Sequence, residues 1–142
     1  MRVAFLKIKD KHKGIQAKEK ISLEINRGII GDMYASGGSK QVSILSLNSR
    51  KLIDKNDYKG LCTKRFQENV TIENLNVKEF KIGDRIKISS SIIEITSTKK
   101  KCHKECFLYK NGRKCPLIDN VIFARVIKSG EISLQDKISP LS

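Results

Sequence analysis

Short runs in which apolar and polar residues alternate recur along the chain, and little of it carries helical spacing. Val3 to Ile8 alternates imperfectly but is rich in strand formers, and it predicts a first strand. Asp10 to Lys20 is polar and charged, contains Gly14 and reads as a loop. Ile21-Ser22-Leu23-Glu24-Ile25 alternates cleanly, as a half-buried strand does. A glycine-bearing stretch follows, from Gly28 through Gly31-Asp32 to Gly37-Gly38-Ser39. Glycines there suit an ordinary turn or a close approach of backbone to a ligand. Gln41 to Leu45 predicts another strand, and Leu47 to Lys55 a short helix capped by Asn48 or Ser49. Asp57 to Lys64 reads as a loop carrying Cys62. Arg65-Phe66-Gln67-Glu68-Asn69 gathers polar and charged groups around one phenylalanine and leads into a strand ending at Glu73.

Val77 to Phe80 predicts one helical turn, and Ile82-Gly83-Asp84 a tight turn. Arg85 to Ile88 and Ile92 to Thr96 are two strands joined by serines, a hairpin. In Val121 to Ile127, a period of two sets Arg125 on the face of Val121, Phe123 and Ile127. A guanidinium on an apolar face calls for an anion, either an internal carboxylate or a bound phosphate. Ser129-Gly130 turns into a last strand, Ile132 to Ile138. No repeat or linker interrupts the chain. About seven or eight short strands with little helix predict one mainly β domain over residues 1–142, a closed or nearly closed β-barrel.

Charge changes the picture more than composition does. The 142 residues carry a formal net charge of +14, which implies an anionic partner: nucleic acid, a phosphorylated cofactor or an acidic protein. With no tryptophan, three tyrosines and five phenylalanines, a base-stacking platform has little support, and nucleic acid is the weaker expectation. No stretch approaches the ~18 apolar residues of a membrane span. Met1 to Lys7 lacks the long apolar core of a secretion signal, so a cytoplasmic protein is expected. Four cysteines in a reducing compartment are expected to be thiols or metal ligands rather than disulfides.

Three of those cysteines crowd one stretch, Lys99-Lys100-Lys101-Cys102-His103-Lys104-Glu105-Cys106, running on to Cys115-Pro116. Positive charge beside a thiol favours the thiolate, which is the nucleophile and the sulfur carrier. Cys102 is therefore the candidate catalytic residue; the plainer reading is a basic loop with incidental cysteines. If Cys102 to Tyr109 is helical, Cys102 and Cys106 share a face one turn apart, as a nucleophilic and a resolving thiol do. A structural zinc site is the other alternative, but Cys-x3-Cys followed by a lone Cys115 fits the usual paired spacing poorly.

Several stretches taken together resemble the MOSC domain, the module named for the C-terminal part of molybdenum cofactor sulfurase. They are Gly31-Asp32-Met33-Tyr34-Ala35, Gln41-Val42-Ser43-Ile44-Leu45, Arg65-Phe66-Gln67-Glu68-Asn69-Val70, Ile82-Gly83-Asp84-Arg85-Ile86, Lys101-Cys102-His103 and Val121-Ile122-Phe123-Ala124-Arg125-Val126. The order of the six is the specific signal. The cysteine-rich extension is most similar to the small stand-alone bacterial members.

The resemblance implies a β-barrel, in agreement with the strand pattern. It implies that Cys102 carries sulfur or ligates molybdenum, and that an anionic pterin, molybdenum cofactor (molybdopterin), is held by Lys40, Arg65, Asn69 and Arg125. Lys40 stands where the family often has arginine, and Tyr34 where it commonly has histidine. Pyridoxal phosphate is expected only in a separate cysteine desulfurase that donates sulfur, with a molybdoenzyme as acceptor. Molybdenum-dependent reduction of N-hydroxylated compounds is a further activity the family implies. From a different class, the charge alone also fits a basic, non-catalytic binding module for nucleic acid or an acidic partner.

Overall fold

Alternating runs become strands because each can bury one face and leave the other in water. The computed structural model describes residues 1–33, 35, 37–55, 66–98 and 120–141. Among them eleven strands occur: β1 (Arg2–Asp10), β2 (Gly14–Lys18), β3 (Lys20–Glu24), β4 (Gly28–Ile29), β5 (Val42–Ser46), β6 (Val70–Glu73), β7 (Arg85–Ile88), β8 (Ser91–Ser97), β9 (Val121–Lys128), β10 (Gly130–Ser133) and β11 (Ile138–Leu141). The helix α1 (Leu47–Lys55) follows β5, and a 3-10 turn covers Val77–Glu79. The larger sheet runs β11-β7-β8-β9-β5-β6-β1-β2, and the smaller runs β10-β3-β4. Neighbours are antiparallel except β5 and β6, where Ile44 lies beside Val70 and Ser46 beside Ile72. A parallel pair needs a long crossover, and α1 lies within it.

Both sheets turn their apolar sides onto one core. Leu6, Ile29, Ile44, Ile72, Ile93, Ile122 and Ile132 are fully buried in it. β-branched isoleucine suits this role because its stiff side chain packs well on a pleated surface.

The mainly β architecture with little helix is the expected one. The larger sheet is not a continuous ring, however: its strand order ends at β2 and β11. Before the stretch that β2 covers, the start of β1 is linked to the segment leading into β11, where Arg2 bridges Lys137, with Val3 donating to the Asp136 carbonyl at 3.0 Å and Gln135 donating to the Val3 carbonyl at 2.8 Å. β1 thus changes partner along its length, from this segment at Arg2–Val3 to β2 at Leu6–Asp10.

Four local expectations need correction. The polar stretch read as a loop contains β2, an edge strand that has little apolar surface to reveal it. The imperfect alternation of Val3 to Ile8 is a β-bulge: pairing with β6 shifts between Val3 and Phe5, so Val3 and Leu6 both reach the core. The helix cap is Ser46 rather than Asn48 or Ser49, since its hydroxyl accepts from the Ser49 N–H at 3.0 Å. The last predicted strand is two strands in different sheets, β10 and β11, separated by a turn in which Gln135 has a φ of 70°.

Candidate functional site

The face of the larger sheet turned away from the core carries most of the candidate residues. On it Ser43 of β5 stands opposite Phe123 of β9. The Lys40 ammonium lies over the Phe123 ring, 4.9 Å from its centre, while Lys40 itself remains exposed. A cation over an aromatic face is held by the ring quadrupole and still offers its charge to solvent. On the other side of Ser43 lies Asn69, which is buried. Its side-chain oxygen accepts from the Ser43 N–H and hydroxyl, both at 3.0 Å. Its side-chain nitrogen donates to the Lys7 carbonyl at 3.2 Å and to Asp32 Oδ1 at 3.3 Å. Asp32 Oδ1 also accepts from the Lys9 N–H at 2.7 Å. Asn69 therefore ties β1, β5 and the Asp32 turn together.

Arg125 lies one alternation beyond Phe123, and Glu94 of β8 is its register partner. Arg125 donates to Glu94 Oε1 from Nε at 3.1 Å and from Nη2 at 2.7 Å. Arg85, paired with Glu94 from the β7 side, donates to Oε2 at 3.3 Å. Hydrogen bonding from Arg125, then from Arg85, holds the Glu94 carboxyl below its usual range despite some desolvation. The two guanidiniums stay about half exposed, at 58% and 52%, so the triad presents a net positive charge to water. Beside it opens a cleft of about 610 Å³ bounded by Arg125, Ser39, Thr96, Gln41 and the apolar Ile25 and Ile82. The Thr96 hydroxyl pins one wall by bonding the carbonyls of Ser39 and Phe123. Gln41 pins another, donating to the Gly38 carbonyl at 2.9 Å and accepting from the Val126 N–H at 2.9 Å. Gly28 is required here: its φ is +118° and a Cβ would lie 3.1 Å from that of Gln41.

A second ionic cluster lies behind Asn69. Glu68 is fully buried and accepts from Arg50 Nη2 at 2.6 Å, from Thr71 at 2.7 Å and from Lys7 at 3.3 Å. Arg50 also reaches the Phe66 carbonyl at 3.0 Å and Asp54 at 3.1 Å. Burial pushes the Glu68 carboxyl up, but the Arg50 hydrogen bonds, the Lys7 charge and Thr71 outweigh it and leave it below its ordinary value.

Comparison with known proteins gives the chain its family. The family model described as the MOSC domain matches residues 31–139, more than half of the chain. The chain belongs to the MOSC domain family. Solved structures similar to this MOSC domain include YuaD from Bacillus subtilis, 17% identical with a TM-score of 0.67 over 96% of this chain and 93% of that one. YiiM from Escherichia coli is 14% identical, with a TM-score of 0.67 over 100% of this chain and 70% of that one. YiiM from Geobacillus stearothermophilus is 11% identical, with a TM-score of 0.63 over 99% and 75%. At such identities the likeness speaks for the fold alone. No curated protein matches in sequence.

Within this MOSC domain, Lys40, Asn69 and Arg125 all lie on or beside the strip formed by β5, β6 and β9. Cys102 and Arg65 lie outside the described residues, as do Tyr34, the loop at 57–64 with Cys62, and the 102–109 stretch with Cys106; so does Cys115. Arg125 has the internal carboxylate, Glu94, as its partner in this structure. Phe123, Ser43, Glu94 and the Arg50–Glu68 pair were not singled out from sequence. Glu94 was the most accessible of these, since aligning the predicted hairpin against the Val121–Ile127 strand sets it near Arg125. Among the described residues no group of three or more His, Cys, Asp or Glu side chains gathers as a metal site. Nor is any helix among them long and apolar enough to cross a membrane.

Proposed function

We propose that this MOSC domain binds molybdenum cofactor, with the pterin phosphate held by cations of the outer strip and Cys102 at the metal end. The family match carries the reading: Lys40, Arg65, Asn69, Cys102 and Arg125 all fall within residues 31–139. The donor types fit the group. Lys40 is exposed and steadied by Phe123, which suits a phosphate oxygen. Arg125 keeps about half its surface in water beside the cleft and can share its guanidinium between Glu94 and a phosphate. Asn69 acts as a positioning residue, because its polar atoms already hold β1, β5 and Asp32 in place. Cys102 supplies a soft thiolate, the ligand type that suits a thiophilic metal centre. When bound, the cofactor supplies the metal that accepts either sulfur or a thiolate bond.

Two roles for Cys102 follow from this reading. As a carrier, Cys102 would take sulfane sulfur from the persulfide of a separate pyridoxal-phosphate desulfurase by thiol–persulfide exchange, freeing the donor's thiolate, and would pass it by the same exchange to a thiol of an acceptor molybdoenzyme, leaving as the Cys102 thiolate. As a ligand, it binds molybdenum directly. Fluorescence titration with purified cofactor at low salt tests the binding. Saturable binding is expected, weakened about tenfold by Lys40→Ala, the loss of one charge-assisted hydrogen bond. Cys102→Ser should retain pterin binding while abolishing a persulfide adduct seen by mass spectrometry after incubation with a desulfurase and cysteine. Absence of saturable binding at low salt would defeat the proposal.

A further inference from the structure

We propose that the free edge of β2 is a docking strand for an acidic, extended segment of a partner protein. β2 ends the larger sheet and pairs with β1 alone among the described strands. Lys7 gives its N–H to the Asn69 carbonyl at 2.8 Å, on the β6 side of β1. By the alternation of an antiparallel ladder, Leu6 and Ile8 then bond β2 at Lys18 and Gln16. The backbone groups of Ile15 and Ala17 point the other way, towards the open edge. They offer an added strand two donors and two acceptors.

The side chains around that edge fit an acidic strand. The pairing of Lys9 with Ile15 and of Lys7 with Ala17 sets these four residues and Phe5 on one face. Phe5 is 54% exposed and Ile15 44%, an apolar strip along a strand otherwise bordered by lysines. Where β2 ends, a groove of about 540 Å³ opens whose walls mix the apolar Phe5, Ala17 and Leu134 with Lys18, the carboxylate of Glu19 and the Arg50–Asp54 pair. Lys9, Lys11, Lys13 and Lys18 are exposed, and none forms an ion pair with a described residue. By contrast, Lys20 just beyond is already matched by Glu131 at 2.9 Å. Asp10, the carboxylate nearest the hairpin tip, is turned onto the backbone N–H groups of His12 and Lys13.

Edge lysines also keep copies of a protein from pairing with each other. That accounts for the charge but not for the exposed Phe5 and Ile15. The same lysines that repel a second copy would select a strand of opposite sign. A nucleic acid would use the charge while leaving the outward amides unmatched, and the strip offers one aromatic ring rather than a stacking platform.

The test uses the full chain and a labelled peptide alternating glutamate with valine. Fluorescence anisotropy should show saturable binding that weakens with salt, and amide exchange by NMR should slow at Ile15 and Ala17. The combined change Lys13→Glu and Lys18→Glu should weaken binding about tenfold or more through repulsion, with the fold intact by circular dichroism. N-methylation of the peptide along one edge should abolish binding, because it removes the backbone donors and leaves the charge unchanged. Equal binding by the N-methylated peptide would overturn the proposal. So would unchanged exchange at Ile15 and Ala17 with the peptide bound, binding of an oligonucleotide in preference to the peptide, or self-association that protects the same amides without peptide.

Discussion

Two clusters in this MOSC domain are built from the same parts, one glutamate between two cations, and they do different work. Glu68 sits between Arg50 and Lys7 with no exposure to water, and Glu94 sits between Arg125 and Arg85 at 17% exposure. In the buried cluster nearly every polar group is matched: Thr71, Gln67, Asp54 and the Phe66 carbonyl complete the bonds that the three charges leave open. Such a set is costly to disturb, because any one member removed strands another in a low-dielectric interior. In the exposed cluster water screens the charges, and the two arginine side chains keep about half their surface in water. Charge type alone does not distinguish the two. Depth decides which cluster supports the fold and which is available to a ligand.

The comparison is most sharply tested at Glu68. Replacing it with alanine leaves Arg50 buried beside a lost partner and should destabilise the domain by ~3–5 kcal/mol. Urea unfolding followed by circular dichroism measures this; a loss below ~1 kcal/mol would show that water reaches the cluster. A smaller effect of the same origin should appear in acid. Glu68 has a folded value below its ordinary 4.5. Its contribution is therefore fully present above that ordinary value, fades as pH falls through it, and is lost below the folded value. The urea midpoint should fall between pH 6 and 3 by an amount that Glu68→Gln, compared with itself across the same range, reduces (about one carboxylate's linkage). The smallest effect belongs to the exposed triad. Arg125→Ala should change stability by less than ~1 kcal/mol, as surface ion pairs generally do. A larger loss in the same urea assay would mean that the two clusters are alike after all.

Strands whose one face is apolar were legible because burial writes itself into alternation: β3, β7, β8 and β9 stand close to where the pattern sets them. β2 was not legible, because an edge strand with Gln16, Lys18 and an exposed Ile15 has no buried face to advertise. The bulge at the start of β1 showed only as irregularity, since one extra residue moves every later side chain to the opposite face. At the site, sequence pattern gave Arg125 its face but not its partner. That depends on which strand pairs with β9 and in what register, a long-range fact. The family motif marks Asn69 as a cofactor contact, and its bonds to Ser43, Lys7 and Asp32 also make it a joint between strands. Its two roles look the same in sequence, since a buried amide and a ligand-facing amide are the same residue.

The link between Arg2 and Lys137 also has a meaning in time. The two residues are 135 positions apart (137 − 2), whereas β1 and β2 or β7 and β8 meet across a few residues. Closing so long a loop costs chain entropy before the hydrogen bonds at Val3, Gln135 and Asp136 can offset it. Hairpins are then the early events of folding, and this stitch is a late one. A chain that has yet to make it shows two unpaired strand edges at once, the interval in which neighbouring molecules are most easily mistaken for its own missing half.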